Sequence, residues 1–324
     1  MNPLMTIAKK EYTDAIKNKM FIMLAIFLIV LTMVSITVAS FDFQNKVAEY
    51  NISVQVLKDT GKAAEIPPVP EFYPLTMLRG VVDYLEIIGA IIGIILGYLS
   101  IAKERSKKTL QLILSRPVKR STLAGGKIAG NSLLILTVLS ITGVFIFIIT
   151  WGLGKVIFST VEFLKLLLVL FLSFLYILFF YCLSSAITMS MRSLPNALII
   201  ILVIWLIFVL IIPQIGDTMD PDNQIPGGFF QSMHIAKPQE KTIMAKFSTY
   251  ETIRNALEES SVTKLFERAS FALLGIKVEY NGKNFALIFH DYWKDMAWQI
   301  SFLIAALLFQ FMVLLKKNLI LQEN

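Results

Sequence analysis

Lys127 follows two glycines, and Gly125-Gly126-Lys127 resembles the end of a loop that cradles nucleotide phosphates with backbone N–H groups and a lysine. The rest of that signature is missing. Ser121 stands where the loop needs a glycine, Ile128 stands where Ser or Thr belongs, and the segment leads into an apolar run instead of leaving a buried strand. His234 and His290 are the two histidines and lie too far apart for a ligand cluster. Cys182 is the one cysteine and falls inside an apolar run. No HExxH, paired-cysteine or Gly-x-Ser-x-Gly pattern occurs, so the residues point away from an enzyme, and any ATPase must be another chain.

What remains is a concentration of charge. Residues 102–127 hold eight basic side chains, Lys103, Arg105, Lys107, Lys108, Arg116, Lys119, Arg120 and Lys127, against one acid, Glu104. Placing each basic residue at mid-membrane would cost ~2.5–3.5 kcal/mol, which pins the stretch to a surface. Leu110, Ile113 and Leu114 nevertheless form an apolar stripe at helical spacing, ended by Pro117. A charged helix with such a stripe at a membrane boundary lies on lipid or docks in a groove of a partner.

The elements that position this stretch are membrane helices. The 324 residues are 56% hydrophobic and 16% charged, with a mean hydropathy of +0.69, which is too apolar for a soluble domain of this size. Six spans are expected at residues 20–40, 82–101, 128–151, 164–187, 197–212 and 296–315, the fifth stopping at Pro213. Residues 1–19 place Leu4, Ile7, Ala8, Tyr12, Ala15 and Ile16 on one helical face, with Lys9, Lys10, Lys17 and Lys19 filling the other side, which predicts an interfacial helix. In the second span Gly89, Gly93 and Gly97 recur every four residues and predict a face for close helix packing. Asp83, Glu86 and Lys165 fall near span ends, so no mid-depth proton relay is expected.

Two inserts interrupt the spans. In residues 41–81, Tyr50, Ile52, Val54 and Val56 alternate with polar residues and predict a strand. In residues 213–295, helices are expected from Pro238 and again near Ser261. They are followed by a hairpin in which Ile276–Tyr280 and Asn284–Phe289 flank the Asn281-Gly282 turn. Together the inserts predict a small α+β domain. The fold class is thus an all-α polytopic membrane protein of six helices, with an N-terminal interfacial helix and a small α+β extracytoplasmic domain. The termini, residues 102–127 and the Arg192 turn carry fifteen Lys and Arg against four acids, whereas the other side carries fifteen against nineteen. By the positive-inside rule both termini, the 316–324 tail and the central stretch are cytoplasmic, in a multi-pass protein of the inner or plasma membrane. The same asymmetry accounts for the net charge of +7, so no nucleic-acid partner is expected.

Glu104-Arg105, Thr109-Leu110, Leu114-Ser115, Pro117-Val118 and Arg120 follow an E-R-x(3)-T-L-x(3)-L-S-x-P-V-x-R pattern. In this the chain resembles the type-2 ABC transporter permeases, and its loop is similar to that of the permease of the nitrous-oxide reductase maturation system. The resemblance implies an N-terminal elbow helix and a subunit that pairs with a second copy or a homologous permease. It also implies a seat on two cytosolic ABC ATPase subunits that bring the ATP and Mg, this chain binding no cofactor. It further implies that residues 102–127 are the coupling segment: Glu104 and Arg105 anchor it, Leu110, Ile113 and Leu114 face the ATPase, and Pro117 ends the helix. Export or extraction of a substrate across or out of the membrane would follow. The alternative is a non-transporting subunit that passes ATP-driven motion to an extracytoplasmic partner. Membrane lipid is the remaining partner.

Overall fold

The computed structural model describes residues 3–60, 73–106, 119–219, 229–235, 239, 242–243, 248–277 and 280–315, and among these there is no strand. Helix α1 (Pro3–Ile16) is followed by Asn18, whose side chain accepts from the amides of Met20 and Phe21 and so starts α2 (Lys19–Asp59) at a fixed corner. At ~1.5 Å per residue α2 is about 60 Å long, twice a ~30 Å hydrocarbon core.

The strand expected around Tyr50–Val56 is helix. No Gly or Pro interrupts residues 19–59, and Phe43, Val47, Tyr50, Val54 and Leu57 are half-buried at spacings of four and three, while Ile52 and Val56 are exposed. The helical period wins over a brief two-residue alternation because the ladder begun in the apolar span has nothing to end it.

A 3-10 turn (Pro74–Leu78), α3 (Arg79–Tyr84), a π segment (Leu85–Gly89) and α4 (Ala90–Ser106) form the second long element. Then follow α5 (Arg120–Gly152) and α6 (Thr160–Ser190), the latter opened by a Ser159/Glu162 capping box. After α6 come α7 (Leu194–Leu206), a π segment (Ile207–Ile211) and α8 (Ile212–Met219). The helix does not stop at Pro213. Proline has no N–H to return to the preceding turn, and the Ser261 hydroxyl donates to Phe208 O there at 2.7 Å.

Beyond lie the short α9 (Phe229–Ser232), α10 (Ser248–Glu259), α11 (Val262–Leu273) and α12 (Phe285–Leu315). The expected hairpin is corrected too. Gly282 does take a positive φ of 67°, but the turn feeds a helix, because Ile288, Tyr292, Met296, Gln299, Leu303, Ala306, Gln310 and Val313 bury one continuous helical face. The expected α+β domain is therefore not present among the described residues.

Six elements are long and apolar enough to cross a membrane: Lys19–Asp59, Pro74–Ser106, Arg120–Gly152, Thr160–Ser190, Leu194–Met219 and Phe285–Leu314. Helix α6 is their hub. Tyr176, Phe180 and Tyr181 on it are fully buried, and α4, α5, α11 and α12 all pack against it. Gln299 and Gln310 of α12 donate to Leu172 O and Ser185 Oγ, at 2.8 and 2.5 Å, binding α12 to α6 by polar contacts where the hydrophobic effect between helices is weak. At one end of the bundle α11 is inserted among the long helices, and Phe266 stacks on Tyr176 with ring centroids 4.9 Å apart.

Candidate functional site

The other end of the bundle carries the segment between α4 and α5. Thr109, Leu110, Ile113, Leu114, Ser115, Pro117 and Val118 lie outside the described residues, whereas Glu104, Arg105 and Arg120, at the two feet of that segment, are described.

Both arginines bind the carbonyls that a helix leaves unsatisfied at its C-terminal end. Arg105 Nη1 donates to Thr188 O and Met191 O at 2.8 and 2.6 Å, and Nη2 donates to Arg192 O at 3.0 Å, so one planar fork holds the end of α6. Arg120 Nη1 donates to Leu314 O, at 3.4 Å, near the end of α12. A cation at a helix C-terminus also meets the negative end of its dipole.

Glu104 faces inward and is nearly buried, with Lys10 Nζ 2.9 Å from one carboxylate oxygen and Lys127 Nζ 3.0 Å from the other. Lys127, only 1% exposed, also reaches Glu11 Oε1 at 2.8 Å and donates to Ser100 O at 2.9 Å. Ser100 Oγ in turn donates to Glu11 Oε2 at 3.1 Å. Asn131 Nδ2 donates to Lys127 O and to Tyr181 OH, which extends the network to α6. Two carboxylates and two ammoniums balance one another, so each charge is compensated where an isolated one would be costly. Burial works against the Lys10 ammonium, but the Glu104 hydrogen bond and the charges of Glu104, Glu11 and Asp14 outweigh it and hold Lys10 above the ordinary lysine range.

Small residues make this approach possible. Gly126 takes Ile7 and Leu4 O against its Cα, and Gly130, one turn further on, takes Ala8 O and the Glu11 side chain, so α1 lies directly on α5. Gly125, Gly126 and Lys127 are thus part of a helix, and the Lys127 ammonium is committed to Glu11 and Glu104.

Gly89, Gly93 and Gly97 face α6. A Cβ on Gly93 would overlap Ile177 O, one on Gly97 would overlap Tyr181 O, and one on Gly89 would press on the Ile177 side chain. Ser184 Oγ donates to Ile94 O at 2.7 Å within the same contact.

The sequence places Glu104, Arg105 and Arg120 at this end of the molecule but does not reveal the network around Glu104, in which Lys10 and Lys127 are its direct partners and Glu11, Ser100 and Asn131 contact Lys127 in turn. A signal was present: Glu11 interrupts the apolar face of Leu4, Ile7, Ala8 and Ala15, a position where a carboxylate needs a buried cation.

Two arginine caps and one ionic network thus join α1, α4, α5, α6 and α12 at this end of the bundle. The family described as ABC-2 family transporter protein matches residues 5–316, and no curated protein matches the chain.

Proposed function

This chain belongs to the ABC-2 family of transporter proteins, and on that premise we propose that it is the permease subunit that converts ATP hydrolysis by a separate cytosolic ATPase into export or extraction of a substrate. The observation that supports this reading is the pair of feet at residues 104–105 and 120. At these feet the side chains of Glu104, Arg105 and Arg120 join α4 and α5 to α1, α6 and α12, so a push delivered at the feet is shared among five helices. The end bearing this segment faces the cytosol, as the surplus of Lys and Arg there requires. Leu110, Ile113 and Leu114 enter a groove on the ATPase, with Thr109, Ser115 and Val118 beside them and Pro117 ending the helix. Helix α1, folded onto α5 through Gly126 and Gly130, serves as the elbow helix.

ATP and Mg sit on the partner, and this chain contributes no catalytic residue. A second permease copy, or a homologous one, completes the transporter in the cell membrane with both termini cytoplasmic. The likeness of the loop to the permease of the nitrous-oxide reductase maturation system bears on how the ATPase is received. A second reading, transmission of ATP-driven motion to an extracytoplasmic partner, draws support from α11 and its N-cap Ser261, since Phe266 stacks on Tyr176 of α6 and Ser261 donates to Phe208 O in the π segment Ile207–Ile211.

Co-expression with the cognate ATPase tests the main reading. Leu110→Asp is expected to abolish co-purification and to reduce permease-dependent ATP turnover at least tenfold. Intact assembly with unchanged turnover would refute ATPase docking at this segment. Deletion of residues 239–260 separates the two readings, since a transporter keeps basal transport whereas a transmitter loses its output.

A further inference from the structure

An apolar groove of about 570 Å³ runs between α5 and α6, lined by Leu139, Gly143 and Phe147 on one side and Phe163, Leu167 and Phe171 on the other. Its wall on α5 reaches from Leu136 to Ile148, about 18 Å at ~1.5 Å per residue, which is close to the depth of one leaflet, half of a ~30 Å core. Gly143 leaves the groove open; a Cβ there meets only the end of the Leu170 side chain, at 3.0 Å.

The turn that joins α5 to α6 lies beyond the outer end of these walls. In it Lys155 is exposed, holds a positive φ of 50° and makes no ion pair among the described residues. Glu162, the acid nearest in sequence, is engaged in the α6 capping box, its carboxylate accepting from Ser159 N at 2.7 Å. Both helices belong to elements long and apolar enough to cross a membrane, where the groove would open toward lipid. A groove about one leaflet deep and apolar along its length, with an exposed lysine in the turn that follows its α5 wall, has the dimensions and charge for a lipid tail below an anionic headgroup. We infer that it holds an acyl chain of an anionic phospholipid, with the headgroup phosphate at Lys155.

The inference rests on the membrane-crossing helices and not on ATPase coupling. Trp151 is exposed one turn beyond Phe147 and Ile148, which makes it a reporter. Trp205, Trp293 and Trp298 are replaced by Phe in the full chain, and the protein is placed in phosphatidylcholine vesicles containing a minor fraction of tail-brominated phosphatidylglycerol or tail-brominated phosphatidylcholine. Trp151 quenching is expected to show about a fivefold preference for the anionic lipid, the bias that one lysine at a membrane surface supplies. Lys155→Glu should erase the preference while keeping the quenching. Gly143→Phe should reduce both lipids to the level of non-selective contact, and Ser140→Phe provides the same block if Gly143→Phe does not fold.

Equal quenching by the two lipids in the unblocked protein overturns the inference. So does a preference that Lys155→Glu leaves unchanged. Val144→Cys tests the competing occupant: an oxidative crosslink between two chains in the vesicles would make the groove an interface between copies and sink the lipid assignment.

Discussion

Lys127 Nζ lies 2.8 Å from Glu11 Oε1, both side chains nearly buried, although 116 residues separate them in the chain. The pair fixes α1 to α5 about two turns inside the start of α5 at Arg120, and Glu104 and Lys10 complete it from α4 and α1. In such a group the net worth of the ions against water is small, but the cost of orphaning one of them is large, because the charge left behind has no water to turn to.

Lys127→Met should therefore destabilise the protein by about 3–5 kcal/mol, since Glu11 and Glu104 would then share Lys10 alone. Adding Glu11→Gln to Lys127→Met restores charge balance and should recover at least half of the loss. Equilibrium unfolding in mixed micelles on the two single variants and the double gives the coupling; additive effects would show that the two groups do not act as a pair.

Arg105→Lys should loosen the end of α6 without unfolding the bundle. Lysine keeps the charge but cannot offer a planar fork to the carbonyls of Thr188, Met191 and Arg192 together. Losing one or two charge-assisted bonds, at ~1.5–3 kcal/mol each, predicts amide exchange in residues 186–196 at least ~10-fold faster. Exchange confined to the native rate would mean that the cap does not hold the helix end.

How much of this was legible follows from what each signal needs. The spans were visible because apolar length is a local property, and Gly89, Gly93 and Gly97 were visible because a four-residue repeat lies within one helix. Glu11 and Lys127 were not, since their meeting depends on α1 folding back over α5, which no local window contains. For Lys127 the nucleotide motif excludes a role without supplying one, and its place in the basic stretch predicts a surface position where the structure buries it. The misread strand at Tyr50–Val56 and the misread hairpin at Ile276–Phe289 share a cause. Short alternation was weighed by itself, whereas the continuous ladders of α2 and α12 on either side decided the outcome. Pro213 was read as a stop because the donor that serves Phe208 O comes from Ser261, 53 residues away.

The glycine contact between α4 and α6 predicts a sharp contrast between positions. Gly97→Ala sets a methyl group against Tyr181 O, Ser184 Cβ and Ser185 N, atoms of α6 that have little freedom to yield, and should cost about 1–3 kcal/mol or more. Gly152→Ala, where nothing lies within 4 Å, should be neutral or stabilising by a few tenths. Parallel expression and thermal aggregation assays on the two variants check this, and equal behaviour would mean that the α4–α6 approach is looser than described.

At the opposite end of the bundle, Lys264 of α11 sits 2.8 Å from Glu267 Oε2 and 3.0 Å from Asp217 Oδ1. Burial disfavours its charge, but Glu267 and Asp217 outweigh that and push its pKa up to about 12 from an ordinary 10.5. The folded state thus holds this proton more tightly than the unfolded one. The resulting stability is fully present below pH 10.5 and is lost as pH rises through about 12. Burial raises the neighbouring carboxyl of Glu267, but that group is ionised throughout the alkaline window and adds no slope there. Denaturant midpoints of the wild type and Lys264→Met, compared between pH 9 and pH 12, isolate the effect from other lysines and tyrosines. The gap between the two proteins should be widest at pH 9 and close toward pH 12. A gap that stays constant would mean that Lys264 does not hold α11 in the bundle through its charge.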